Sequence, residues 1–241
     1  MCFDLDSAPP IPPVAGAAVD HEDLVLESAD GTRFAAFAAL PEKPSGIGVV
    51  VLPDVRGLYR FYEELALRLA ERGHSAIAID YFGRTAGVSK RDESFEYAPH
   101  VEQTTEEGIQ ADVAAAIAWL RERGARSVFT LGFCFGGKNS WLAAASGHEL
   151  AGAIGFYGRP PVERAADMKA PILALQAGAD GHILPEHNAA FDAALTAAGV
   201  PHELVVYDGA QHSFFDRKHK EYAEASADAW ERVLVFLAQH G

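Results

Sequence analysis

Basic residues, cysteines and long apolar runs are what this chain has least of. Lys and Arg together number 20 against 34 Asp and Glu, a formal net charge of −14. A surface of that sign repels nucleic acid and anionic lipid, so neither is an expected partner. Cysteine occurs only as Cys2 and Cys134. With Cys2 in a proline-rich arm, a structural disulfide is not expected, and a reducing compartment is. The opening MCFDLDSAPPIPPVAGAAVD carries no basic segment followed by an apolar core, so it does not read as a signal peptide. Apolar runs such as Ile47 to Leu52 are far too short to span a bilayer. Together these absences point to a cytoplasmic protein off the membrane, with a monomer as the simplest state.

What is present is an ordinary globular composition, 49% hydrophobic and 22% charged over 241 residues, which suits one large domain. Residues 1–22 are rich in Pro, Ala and acids without periodicity and read as an arm, ordered by contact or not at all. Residues 23–241 read as a single domain. Asp23 to Ser28 and Thr32 to Leu40 form an expected hairpin around Asp30-Gly31. Strands and helices then alternate. Ile47 to Leu52, Ser75 to Ile79, Ser127 to Leu131, Ala151 to Phe156, Pro171 to Gln176 and His202 to Tyr207 are strand-like. Between them, apolar residues such as Tyr62, Leu65 and Leu69, or Ile109, Val113, Ile117 and Leu120, recur with helical spacing. This alternation predicts an α/β fold, a mostly parallel doubly wound sheet with helices on both faces. The segment from Tyr81 to Gln103 breaks the rhythm and, leaving a strand's C-terminal end, is expected to be a substrate-side loop.

The strongest chemical signal is Gly132-Phe133-Cys134-Phe135-Gly136-Gly137, between a predicted strand and an Ala-rich helix. This is the strand–turn–helix context of a nucleophile elbow in an α/β-hydrolase fold. Its central residue is strained, so the positions two before and two after must be small, as Gly132 and Gly136 are. The elbow puts Cys134 at a helix N-terminus, where the dipole and free N–H groups favour the attacking thiolate. No Gly-x-Ser-x-Gly competes with it. The base and its orienter are expected later, in the order acid then histidine, each just past a strand. Asp180 in Gly178-Ala179-Asp180-Gly181 and His212 in Gln211-His212-Ser213-Phe214 meet that condition, with Asp208 as a rival acid. The oxyanion hole is expected from the N–H groups of Phe135 and, in the loop after Ile47 to Leu52, Val55.

With these residues the chain resembles the dienelactone hydrolase family from about Asp23 onward. The resemblance implies hydrolysis of a small ester or lactone by a Cys-His-Asp triad through a thioester, with no metal or cofactor. By position it makes Cys134 the nucleophile, His212 the base and Asp180 its orienter. It also implies two arginines for a substrate carboxylate, which Arg84 and Arg217 resemble, the latter displaced by one residue. A Glu that partners the resting thiol in the family has Asp54, one methylene shorter, at its place here. Other chemistries remain for comparison. They are a glutaminase using His219-Lys220-Glu221, a redox-sensing or ligand-binding module built on Cys134, and a dehalogenase-like use of Asp54.

Overall fold

The computed structural model describes residues 7–241, so Cys2 lies outside the described residues. In chain order the first elements are β1 (Val19–Glu27), β2 (Arg33–Pro41), β3 (Ile47–Leu52), α1 (Arg60–Ala70), β4 (Ser75–Ile79), α2 (Gly83–Ala86) and α3 (Ala98–Val101). There follow α4 (Glu106–Glu122), β5 (Ser127–Phe133), α5 (Phe135–Ala144), β6 (Gly152–Phe156), β7 (Ile172–Ala177), α6 (Pro185–Ala198), β8 (His202–Tyr207) and α7 (Ala223–His240).

All eight strands join one sheet in the order β1-β2-β4-β3-β5-β6-β7-β8. The β1–β2 and β2–β4 pairs are antiparallel and every other pair is parallel. Burial explains the sequence texture. Every residue of β3 and β7 is buried, as a parallel strand covered on both faces requires, whereas the edge strand β1 is largely exposed. On one face, Phe61, Leu65 and Leu69 of α1 and Val233 and Leu237 of α7 pack on the sheet. The other face is covered by Ile109, Val113 and Leu120 of α4, by Trp141 of α5 and by Phe191 and Leu195 of α6. Each such side chain, fully buried, contributes about 1.5–3 kcal/mol. This is the doubly wound α/β-hydrolase architecture expected from the alternation.

Three details depart from the sequence reading. First, β1 begins at Val19, which pairs with Pro41, so the strand takes in four residues assigned to the arm. The described part of the arm lies against the body. Ile11 is buried in the α1–α7 cluster, and the Val14 N–H donates to Glu71 Oε2 at 2.9 Å. Second, β5 runs two residues past Leu131, carrying the sheet up to Cys134. Third, the segment 81–103, expected as a loop, holds the short helices α2 and α3 and is anchored to the body. Arg91 is buried, its Nη2 donating to Asp80 Oδ2 at 2.8 Å and to Gly87 O at 2.7 Å, with its guanidinium 4.6 Å from the Phe95 ring. Asp80 also accepts from Leu58 N–H at 3.0 Å, which ties this segment to the loop after β3. Among the described residues no helix is long and apolar enough to cross a membrane.

Candidate active site

The elbow forms where β5 meets α5. Cys134 sits there at φ 55°, ψ −112°, a region that L side chains rarely occupy. Its N–H donates to Phe156 O at 2.9 Å, holding the turn to β6. A Cβ on Gly132 would collide with the Gly136 carbonyl, and one on Gly136 with the carbonyls of Leu52 and Pro53. The glycines therefore let β5, α5 and the loop after β3 approach backbone to backbone. Beneath them Phe133 is buried among rings, stacked at 4.8 Å on Phe156 and 5.9 Å from Phe215. Cys134 is a half-buried free thiol.

Asp180 leaves the end of β7 and His212 follows β8, and the sheet brings them together. His212 Nδ1 lies 2.6 Å from Asp180 Oδ2. The other carboxylate oxygen accepts from the N–H groups of His182 at 2.7 Å and Ile183 at 3.2 Å. Burial pushes the Asp180 carboxyl up, but the His212 bond and these two N–H donors outweigh it and hold it below its ordinary value. An ionised carboxylate only accepts, so Nδ1 carries the imidazole proton and Nε2 is left as the basic nitrogen. Asp208, the rival acid, is exposed, and the His212 ring is bonded to Asp180 instead.

Cys134 and His212 line one cavity of about 430 Å³ with Val55 and Phe135. Tyr157, Ile183 and His182 complete its wall, and Lys138 and Arg159 bring positive charge to it. A thiol at a helix N-terminus, an imidazole oriented by a buried carboxylate and two candidate N–H donors in one pocket make a site suited to acyl transfer.

The chain matches the model of the dienelactone hydrolase family over residues 34–241. It belongs to that family. A Salmonella typhi protein provisionally named as a carboxymethylenebutenolidase is 30% identical, the match covering 97% of this chain and 95% of that one. The carboxymethylenebutenolidase of Rhodococcus opacus is 28% identical, covering 100% and 97%. Among solved structures, one from Klebsiella pneumoniae, provisionally described as a dienelactone hydrolase, superposes with a TM-score of 0.80. It is 28% identical, and the match covers 92% of this chain and 99% of that one. The chain is accordingly a hydrolase acting on ester or lactone bonds.

The substrate-contact residues expected from the family resemblance are not among those lining this cavity. Arg84 does follow the end of β4, but α2 sets it against α4 and the β1–β2 turn. There Nη1 donates to the buried Asp112 of α4 at 2.6 Å and Nη2 to Asp30 of the β1–β2 turn at 2.8 Å. Doubly neutralised, it braces the hairpin, and it does not line the cavity. Arg217 is exposed and likewise outside the cavity wall. Asp54 is wholly buried beneath the site, with Oδ1 accepting from Arg56 N–H at 2.9 Å, so it is no surface nucleophile. His219, whose Nδ1 lies 2.8 Å from Asp216 O, precedes α7 and stands outside the cavity wall.

Sequence reasoning passed over Lys138, Arg159, Tyr157 and Asp216. Lys138 lies four residues past Cys134, one helical turn on, which is a legible signal. Arg159 follows the C-terminal end of β6, the sheet edge where such sites gather. Tyr157 and Asp216 gave no local signal.

Proposed function

We propose that this chain hydrolyses the ester or lactone of a small carboxylate-bearing substrate through Cys134, His212 and Asp180, by way of a thioester. What supports this most is the convergence of Cys134 and His212 on one cavity, with Asp180 Oδ2 2.6 Å from the imidazole Nδ1. Nε2 of His212 takes the Cys134 thiol proton, the thiolate attacks the carbonyl carbon and the carbonyl electron pair moves onto oxygen. The N–H groups of Phe135 and Val55 hold that oxyanion, each donor lowering the barrier by roughly 2.7–4 kcal/mol. The intermediate collapses, the C–O bond breaks, and the leaving alkoxide takes the proton from His212. Water then attacks the thioester while Nε2 of His212 accepts its proton, and expulsion of the thiolate frees the acid.

The carboxylate contact passes, in this reading, from Arg84 and Arg217 to Arg159 and Lys138. These two line the cavity, and neither has a hydrogen-bonding or ionic side-chain partner among the described residues. In so acidic a chain, two uncommitted cations on the wall of the pocket favour an anionic substrate.

The test is turnover of a chromogenic short-chain ester beside a dienelactone, by wild type and Cys134→Ala. Turnover of both substrates, lost with the thiol, supports the reading. Ester turnover alone rejects the carboxylate-bearing lactone, and equal rates with Cys134→Ala reject the nucleophile.

A further inference from the structure

Two carboxyls stand near His212, and the fold treats them oppositely. Asp180 is hydrogen-bonded to the imidazole and to two N–H groups. Asp216 lies four residues beyond His212 in the turns before α7, and its side chain is wholly buried. Its Oδ2 accepts from Tyr157 Oη at 2.5 Å, and its Oδ1 accepts from the Arg217 N–H. No cation pairs with it among the described residues. The charges that act on it are those of Asp54, in the loop after β3, and His212 on its own loop. Asp54 is also wholly buried, and its charge is felt in turn at Tyr81, where those of Asp80 and Cys134 act too. Burial above all, with the Asp54 charge behind it, pushes the Asp216 carboxyl up to about 8, against the pull of the Tyr157 and Arg217 bonds. The Asp54 charge thus adds to burial in opposing ionisation of Asp216.

Tyr157 connects this carboxyl to the site. It is the first residue past β6 and sits at φ 36°, a strained value, with its N–H donating to Leu175 O at 2.8 Å. Its ring lies 4.9 Å from the His212 imidazole and 5.5 Å from Phe214, and it lines the cavity. Its hydroxyl is on Asp216. A residue held in an unfavourable conformation from three sides is there because its surroundings impose it.

We propose that Asp216 is a positioning residue that works as a neutral acid: through Tyr157 it fixes the His212 imidazole, and by keeping its proton it spares the reacting centre a second buried negative charge. The proposal rests on the Cys134–His212–Asp180 reading. Its physical basis is that thiolate attack places negative charge on the substrate oxygen inside a site of low dielectric, where another carboxylate opposes it. Of the two carboxyls near His212, Asp180 is the charged one and Asp216 the protonated one, a division set by environment alone. In its neutral form the carboxyl keeps the hydrogen bond to Tyr157 by donating to Oη.

The experiment is kcat/KM for a chromogenic ester against pH in wild type, Asp216→Asn, Tyr157→Phe and Cys134→Ala. It is joined by infrared difference spectra of wild type against Asp216→Asn at neutral pH. Asn mimics the protonated acid but cannot ionise. The expected wild-type profile falls about tenfold as pH rises through the Asp216 ionisation, and the Asp216→Asn profile lacks that fall. Tyr157→Phe lowers kcat more than it raises KM. The spectra lose a protonated-carboxyl C=O band in Asp216→Asn. An active wild type whose alkaline limb is unchanged in Asp216→Asn, or spectra with no such band, overturns the proposal while leaving the triad standing. An inactive wild type, or an active Cys134→Ala, overturns the triad and the positioning role with it.

Discussion

Replacing Asp180 by Asn tests the central geometry with a single atom. The two oxygens of Asp180 have different duties: Oδ1 accepts from the N–H groups of His182 and Ile183, and Oδ2 faces His212 Nδ1. In an Asn the carbonyl oxygen must stay with the two backbone donors, because turning the amide over would set an NH2 against both of them. The NH2 group is therefore forced onto the imidazole side. Nδ1 must then accept, its proton moves to Nε2, and the nitrogen facing the cavity can no longer take a proton. Inverting the tautomer of a catalytic histidine this way costs about 10³–10⁴ in kcat, or roughly 4–5.5 kcal/mol of barrier. Folding loses less, about 1.5–3 kcal/mol for one charge-assisted hydrogen bond, partly offset because no charge is buried any longer. Steady-state ester hydrolysis, with urea unfolding as a control, separates the two. Activity of Asp180→Asn within about tenfold of wild type, in a stably folded protein, refutes the argument that Asp180 sets the tautomer.

Four further outcomes are expected. Gly136→Ala drives a methyl into the carbonyls of Leu52 and Pro53, backbone atoms that cannot swing aside; unfolding free energy should drop by about 2–3 kcal/mol, and a change under about 0.5 contradicts the close approach. Removing either Arg159 or Lys138 should raise KM for a carboxylate ester about fivefold relative to a neutral ester of the same size, about 1 kcal/mol for a partly exposed cation; an equal change for both esters argues against the charge. Arg91→Leu keeps the bulk but leaves the buried Asp80 carboxylate without its cation, and a loss of about 3 kcal/mol or more is expected by chemical denaturation. Asp216 also leaves a mark on stability. Its native value of about 8 lies above the ordinary 3.8, so between those limits the native state keeps a proton that the unfolded chain gives up, and stability falls as pH rises. Asp216→Asn should remove up to about 1.4 kcal/mol per pH unit of that slope, and parallel stability curves for the two proteins would show that the carboxyl is ionised throughout.

The sequence by itself determined the sheet, the elbow and the order of the expected catalytic groups. Each of these is a local matter. A strand buried on both faces must be apolar throughout, as β3 and β7 are, and a helix over a sheet must repeat its apolar residues with helical spacing, as α1 and α4 do. An elbow that presses against its neighbours' backbone must have glycines, and Gly132 and Gly136 stand at the tightest points. His212 and Asp180 were legible because each follows directly on a strand whose end the alternation had located.

Only the tertiary structure decided which charges meet, since partners in a buried or half-buried polar contact come from elements far apart along the chain. Arg84 looked available for substrate until Asp30, 54 residues away, and Asp112, 28 residues away, claimed its guanidinium. Tyr157 and Asp216, 59 residues apart, have no shared pattern in the sequence, yet the fold buries them in one hydrogen bond. Likewise it is the turn after β7 that brings Asp180, and not Asp208, within 2.6 Å of the imidazole. Local pattern reports how deeply a residue is buried. What it is buried against depends on how the chain returns, and that decided the electrostatics of this site.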